Sequence, residues 1–372
     1  MKVSVMQENL ARGLSVVSRA VSSRSTLPVL GNVLIRTEDA GLKLTATNLE
    51  IGITYWVPGK IDADGAITVP AKLLADIVAG LPAGDRVDLE LQAGDTLSIR
   101  SGRFETHVKG IDAEEFPAIP TAGERPTTRI SQKILRQALN ETTFAAASDE
   151  ARPILTGVLC RFEGDQLTLA AADNYRIAVK TIATLDAVEE TSIVVPARSL
   201  NELSRVLADI DDAVDIVLAP SKNQILFHLE GIDLVSRLID GQFPNYQQVV
   251  PKSHTTRSVI DREELLKAVR LAALIASAAA NIVKLGVGVD GEPGVIVTAA
   301  AEVGDNEGRV EATVEGDGTT IAFNARYLSE VLQNVSAEQF GVELNGPLSP
   351  GVFKPIGDDA YVHVVMPVRT TS

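Results

Sequence analysis

The residue types that most often carry chemistry are sparse here and poorly spaced for it. The four histidines, His107, His228, His254 and His363, lie far apart, and three of them sit in strand-like runs. No pair has the spacing of metal ligands. The one cysteine, Cys160, falls in G-V-L-C-R-F, where a small buried hydrophobe is expected. It excludes an intrachain disulfide framework and fits a reducing compartment. The patterns H-E-x-x-H, G-x-S-x-G and the P-loop are absent. Gly286-Val287-Gly288-Val289-Asp290-Gly291 matches G-x-G-x-x-G, but Glu292-Pro293-Gly294 and a second strand follow it. A dinucleotide site needs a helix there to hold the pyrophosphate, so this stretch reads as a hairpin. Asp209, Asp211, Asp212 and Asp215 lack the alternating oxygens, glycine and terminal glutamate of a calcium loop and read as a solvated turn. No catalytic centre, metal or cofactor is expected.

What remains is binding chemistry. The net charge of −15 argues, by itself, against a nucleic-acid partner. Its distribution is more informative. Six helical segments, 7–21, 70–80, 131–142, 196–208, 261–277 and 323–335, together carry +3, so strands and loops hold the acid. Arg12, Arg19, Lys72, Lys133, Arg136, Arg198, Arg205, Lys267, Arg270 and Arg326 are the candidate exposed cations. Aligned on one side, they would attract a polyanion through phosphate contacts alone. Charge by itself leaves that reading level with ordinary amphipathic helices. The near-terminal run Val364-Val365-Met366-Pro367-Val368-Arg369 is apolar. It reads either as a last core strand or as apolar surface for a partner peptide.

The elements that must position these residues repeat. V-P-A-K-L-L at Val69, V-P-A-R-S-L at Val195 and F-N-A-R-Y-L at Phe323 begin 126 and 128 residues apart. Each places a small residue and a cation before apolar residues at helical intervals. Arg152-Pro153-Ile154-Leu155 answers Leu27-Pro28-Val29-Leu30, and Phe243-Pro244 answers Phe116-Pro117, at nearly the same offset. The period is that of a domain, not of a solenoid. Each copy reads as two helices and roughly eight short strands. Pro28 to Arg36 is one of the expected strands and Gln7 to Val21 one of the helices. This is an α+β pattern with helices covering antiparallel sheet. The expected domains are 1–122, 127–252 and 254–372. At 45% hydrophobic and 22% charged the chain is globular. No targeting segment is visible, and the longest apolar stretch, Leu271 to Val283, is too short to cross a bilayer. A soluble cytoplasmic protein is expected.

The chain resembles the bacterial sliding clamps, the beta subunits of DNA polymerase III. The marks are Arg24-Ser25-Thr26-Leu27-Pro28-Val29-Leu30-Gly31-Asn32, Thr45-Ala46-Thr47-Asn48-Leu49-Glu50, Ala172-Asp173-Asn174-Tyr175-Arg176-Ile177-Ala178-Val179 and Val194-Val195-Pro196. Asp240-Gly241-Gln242-Phe243-Pro244-Asn245-Tyr246, Phe323-Asn324 with Tyr327, and the C-terminal run complete them. The resemblance implies a head-to-tail homodimer, a ring of six domains with helices facing the hole and sheet outside. It implies a non-catalytic processivity factor for DNA replication, without cofactor or membrane, that encircles double-stranded DNA. Implied DNA contacts are Arg24, Lys72 and Arg198, to which the charge reading adds Arg136 and Arg205. The implied partners are the DNA polymerase III alpha subunit, the clamp loader and other proteins carrying a short clamp-binding motif. Their groove would comprise Leu155, Ala172, Asn174, Tyr175, Arg176, Ile177, Pro244, Val249, Asn324, Tyr327, Leu348, Val364, Met366, Pro367, Val368 and Arg369. Its apolar members would take Leu and Phe side chains, with Arg176 and Arg369 holding polar groups at the rim. Where many relatives carry Gly-His before the arginine, this chain has Asn174-Tyr175. The implied dimer contacts are Leu274 and Ile275 against the strand holding Phe104, Thr106 and Val108. The competing reading is a relative that keeps the peptide groove and no longer binds DNA.

Overall fold

The computed structural model of the chain describes all residues except 23–26, 39–40, 121–125, 150, 219–222, 290–292 and 371–372. The first repeat runs β1 (Lys2–Met6), α1 (Gln7–Val17), β2 (Asn32–Glu38), β3 (Gly41–Thr47), β4 (Ile51–Ala63), β5 (Ala66–Pro70), α2 (Ala71–Ala79), β6 (Arg86–Gln92), β7 (Thr96–Ser101) and β8 (Phe104–Lys109). The second runs β9 (Thr128–Ser131), α3 (Gln132–Thr142), β10 (Gly157–Ala172), β11 (Arg176–Pro196), α4 (Ala197–Val206), β12 (Ala213–Leu218), β13 (Gln224–Leu229) and β14 (Ile232–Arg237). The third runs β15 (Thr256–Asp261), α5 (Arg262–Ala276), β16 (Ile282–Val287), β17 (Val295–Ala301), β18 (Gly304–Val310), β19 (Ala312–Gly316), β20 (Thr319–Asn324), α6 (Ala325–Asn334), β21 (Gln339–Leu344), β22 (Gly351–Pro355) and β23 (Tyr361–Val365).

The repeated motif folds alike three times because its local chemistry is alike. Pro70 and Pro196 stand at the N-caps of α2 and α4 with φ of −54° and −51°, the range a proline ring fixes anyway. At α6 the Asn324 side chain accepts from the Arg326 N–H instead. Each helix then buries one face: Ala71, Leu74 and Val78 in α2; Ala197, Leu200 and Leu203 in α4; Ala325, Leu328 and Leu332 in α6. The cation follows the buried alanine by one residue, about 100° around the helix, and so Lys72, Arg198 and Arg326 are all exposed.

The same strand order recurs with different breaks. β2 lies on β5 (Asn32↔Pro70 to Arg36↔Ala66) and β3 on β4 (Gly41↔Pro58 to Thr47↔Gly52). In the second repeat the two registers fall within one strand pair, β10 on β11. They run Gly157↔Pro196 to Phe162↔Thr191 and Gln166↔Ala183 to Ala172↔Ile177. The roughly eight strands expected per repeat therefore appear, among the described residues, as eight, six and nine. Two further boundaries differ from expectation. Pro28–Gly31 is a 3-10 turn rather than the start of a strand, as is its counterpart Pro153–Thr156. A proline cannot donate to a ladder, and the Leu30 N–H bonds back to the Leu27 carbonyl instead. Helix α1 stops at Val17 and passes into a 3-10 turn, Ser18–Ala20.

Two compact units divide the chain, residues 1–132 with 210–238 and residues 133–209 with 239–372, so the middle repeat is shared between them. In the first unit the sheet order is β8-β7-β6-β1-β4-β14-β13-β12-β9. The start of β4 carries β14 (Tyr55↔Ile232 to Ile51↔Ser236), and its end carries β1. In the second unit the order is β10-β11-β23-β22-β21-β15-β19, with a separate sheet β18-β17-β16-β20. There β11 carries β23 (Arg176↔Val365 to Lys180↔Tyr361). In each unit, then, the last strand of one repeat is laid against the repeat before it.

Candidate partner groove and helix cations

The candidate groove residues lie within the second unit, on a turn, a tail and a helix start. Between β10 and β11, the Asp173 Oδ1 accepts from the Tyr175 and Arg176 N–H groups at 2.7 and 3.0 Å. This Asx turn sends Tyr175 outward, 56% exposed, and Arg176 inward, 4% exposed. The tail after β23 is tied at two points. The Met366 N–H donates to the Tyr175 carbonyl at 2.7 Å and the Val368 N–H to the Ala322 carbonyl at 2.8 Å. The first turn of α6 presents Tyr327, whose ring stacks on Tyr175 at 6.1 Å and 22°. Leu155, Ala172, Ile177 and Val364 are buried in one cluster with Phe243 and Val352. They form a floor, while Tyr175, Val249, Leu348 and Met366 are exposed apolar surface. Pro244 follows Phe243 and is exposed, as are Asn174 and Arg369; Pro367 and Val368 are half-buried. Asn324 spends its side-chain oxygen on the α6 cap. Leu348 stands apart, on the loop after β21.

Arg176 is not at the rim. Its Nε lies 3.1 Å from the Asp173 Oδ2, one terminal nitrogen is bonded to Glu330, and the other donates to the Phe144 carbonyl at 2.7 Å. The guanidinium sits 4.6 Å from the Tyr327 ring centre and 5.4 Å from that of Phe144. Buried and bonded on all three nitrogens, it is not placed for the rim role expected of it, whereas Arg369 is exposed. Sequence reasoning passed over Asp173, Glu330 and Phe144. The available signal was Glu330 at helical spacing from Arg326 and Tyr327.

A second buried polar group adjoins it. Lys180 Nζ lies 3.0 Å from the Glu141 Oε2 and is bonded to Asp358. Burial works against its charge, but the hydrogen bonds to Asp358 and Glu141 prevail and raise its pKa above the ordinary lysine value. His363 is fully buried, stacked on Phe144 at 5.5 Å, with the Tyr361 hydroxyl 3.4 Å from Nδ1. Burial and the Arg176 charge push its pKa down to about 3, so the ring is neutral. Burial, with the Asp173 carboxylate adding to it, raises the Tyr327 phenol above its usual value.

The expected DNA contacts divide by their partners. Arg24 lies outside the described residues. Lys72, Arg136 and Arg198 are exposed, with no hydrogen-bond or ion-pair partner among the described residues. Arg205 is exposed but paired with Glu202 at 2.7 Å, as Lys267 is with Glu264 and Arg326 with Glu330. In the first and last of these the carboxylate is largely covered, at 12% exposure for Glu202 and 24% for Glu330, while Lys267–Glu264 is an open surface pair. At the candidate dimer edges Phe104 is 58% and Leu274 71% exposed. Thr106 is half-buried, and Ile275 packs partly on the third repeat's core. Val108, expected at the same surface, is 3% exposed; its face of β8 runs from solvent at Phe104 into the core, so it supports the strand from inside. The G-x-G-x-x-G stretch lies on β16 and its turn toward β17, which pairs antiparallel with it; Asp290 and Gly291 lie outside the described residues. No helix among the described residues is long and apolar enough to cross a membrane.

Three copies of a two-helix, antiparallel-sheet unit, joined by strand pairing and with exposed cations on their helices, define a triplicated α+β protein. Family models of the DNA polymerase III beta subunit match throughout: its N-terminal domain at residues 1–120, central domain at 129–245 and C-terminal domain at 247–369. The beta sliding clamp of Synechococcus elongatus is 37% identical over 100% of both chains. That of Synechocystis is 34% identical over 99% of each. The DNA polymerase sliding clamp of Bacillus subtilis superposes with a TM-score of 0.94 at 30% identity, covering 100% of this chain and 99% of that one. The chain belongs to the DNA polymerase III beta subunit family, the beta sliding clamps. Its function is that of a DNA sliding clamp, a non-catalytic processivity factor in replication.

Proposed function

We propose that two copies of this chain close head to tail into a six-domain ring that encircles double-stranded DNA and tethers the replicative polymerase to it. The domains are 1–122, 127–252 and 254–372 of each chain. The observation that carries the reading is the strand left over at each end of the series. β14 of the second repeat lies on β4 of the first, and β23 of the third on β11 of the second. Continued once more, the rule lays β8 of the first repeat on β18 of a third repeat. Both β8 and β18 are edge strands here. A second copy supplies the partner for each, which also removes two open edges. The exposed Phe104 on β8, and Leu274 and Val303 beside β18, give the contact apolar surface.

In that ring Arg24, Lys72, Arg136, Arg198 and Arg205 meet phosphates. Contacts to phosphate carry no sequence information, so the ring slides. Tethering raises the polymerase's effective concentration at the primer end. The groove takes Leu and Phe side chains of a short motif carried by the DNA polymerase III alpha subunit, the clamp loader and other cytoplasmic replication and repair proteins. Tyr175, Tyr327, Met366 and Val249 form its walls over the Leu155, Ala172, Ile177 and Val364 floor, with Arg369 at the rim. The test is retention. Once loaded, the protein should stay on closed circular plasmid and be lost when the plasmid is linearised. Equal release from both forms, or a mass of one 39.5 kDa chain in light scattering, would reject the ring.

A further inference from the structure

Glu330 lies in α6, one turn beyond Tyr327, and its carboxylate takes a guanidinium on each oxygen: Arg176 on Oε2 and Arg326 on Oε1, the latter at 2.7 Å. The two arginines come from different repeats. Arg176 opens β11 of the second, and Arg326 stands in the first turn of α6 of the third. Arg176 is also the residue on which both aromatic contacts converge, with Tyr327 on one side and Phe144 on the other. The Tyr175–Tyr327 stack that walls the groove likewise joins the two repeats. So one carboxylate fixes the guanidinium under Tyr327, and the neighbouring residue of that arginine, Tyr175, supplies the other ring.

We propose that Glu330 is the positioning residue of the partner groove: by holding Arg176 beneath Tyr327, it sets the Tyr175–Tyr327 wall before any peptide arrives. The proposal rests on the groove reading above. The physical reason is preorganisation. A planar guanidinium bonded to Asp173, Glu330 and the Phe144 carbonyl has one orientation. An aromatic wall fixed in advance lowers the ordering cost of binding. With Glu330 neutral, Arg176 keeps Asp173 but loses its tie to α6, and Tyr327 is free to leave the stack.

The experiment uses the full chain and a fluorescein-labelled hexapeptide ending in Leu-Leu-Phe, titrated by fluorescence anisotropy. Glu330→Gln should weaken the peptide about tenfold, equivalent to about 1.4 kcal/mol, and reduce the tyrosine signal in near-ultraviolet circular dichroism. Glu330→Asp should recover most of the affinity. Arg176→Lys keeps the charge but not the fork, and should reproduce the loss even if Glu330→Gln folds poorly. Glu264→Gln, which breaks a like pair with Lys267 on α5, should bind as the unaltered chain does. If Glu330→Gln and Arg176→Lys both bind within about twofold of the unaltered chain, the positioning role is overturned and the groove stands. If the unaltered chain itself does not bind, the groove reading fails and this proposal with it.

Discussion

At the residue scale, the buried polar groups behind the groove set how this part of the chain responds to pH and substitution. His363 has its pKa depressed to about 3 against 6.5 for an ordinary histidine. Above pH 6.5 neither folded nor unfolded chain carries that proton, so the ring adds no pH dependence. Between 6.5 and 3 the unfolded chain takes up the proton and the folded one does not. Stability therefore falls by about 1.4 kcal/mol per pH unit over that window. His363→Phe, which keeps the stacking on Phe144, should flatten this acid limb in urea midpoints measured from pH 7 to pH 4. Lys180 has the opposite sign. Its pKa is raised, so its contribution is fully present below 10.5 and is lost as pH rises through the folded value. Lys180→Met should cost about 3–5 kcal/mol, because Glu141, 1% exposed, is left charged without its cation. Urea unfolding of Lys180→Met beside the Lys180→Met/Glu141→Leu double variant checks this; the double variant should recover most of the loss.

At the element scale, the two junctions are built on one plan and differ in their side chains. The Asn48 Oδ1 accepts from the Glu50 and Ile51 N–H groups at 3.0 and 2.9 Å, as Asp173 does for Tyr175 and Arg176. The Arg237 N–H donates to the Glu50 carbonyl at 2.8 Å, as Met366 does to Tyr175. Yet the first junction has no stacked aromatic pair among the described residues. Glu50 and Ile51 stand where the second has Tyr175 and Arg176, and Ile119 packs over Val217, Leu226 and Val235. Ile119 also fills the space above Gly52, where a Cβ would come within 3.0 Å of it. The scaffold is repeated, and the stacked Tyr175–Tyr327 pair belongs to the second junction. The same plan gives the edge prediction. A Phe104→Glu/Leu274→Glu variant places like charges where β8 and β18 should meet, and light scattering should then report a single chain. A dimeric mass for that variant would reject this pairing.

At the scale of the whole molecule, a chain of net charge −15 binds a polyanion only where exposed cations act together on one surface. Lys72, Arg136 and Arg198 are exposed and have no carboxylate partner among the described residues, while Arg205, Lys267 and Arg326 are each held by one. Removing one cation that meets a phosphate lowers the salt slope of binding by about 1. Lys72→Ala/Arg136→Ala/Arg198→Ala should therefore lower the slope by about 3 per chain in a DNA-binding titration across salt concentrations. An unchanged slope would show that other groups meet the phosphates.

The sequence by itself determined the triplication, the six helices and the exposure of the motif cations. Each of these follows from local rules: proline or asparagine at a cap, apolar residues at helical spacing, a cation one step from a buried alanine. The motifs on which the proposed groove rests also stay in order along the whole chain. Strand boundaries at Pro28 and the merging of strands into β10 and β11 were less legible, because hydrogen-bond partners distant in sequence decide where a strand ends. The tertiary structure alone decided what Arg176 does. An arginine in a polar turn reads as a rim cation. Only the meeting of Asp173, Phe144, Tyr327 and Glu330, brought from three separate stretches of chain, makes it a buried one. It also decided that Val108 faces inward and that Arg205 is paired. Burial and partnership are properties of neighbours in space, and the repeat period does not encode them.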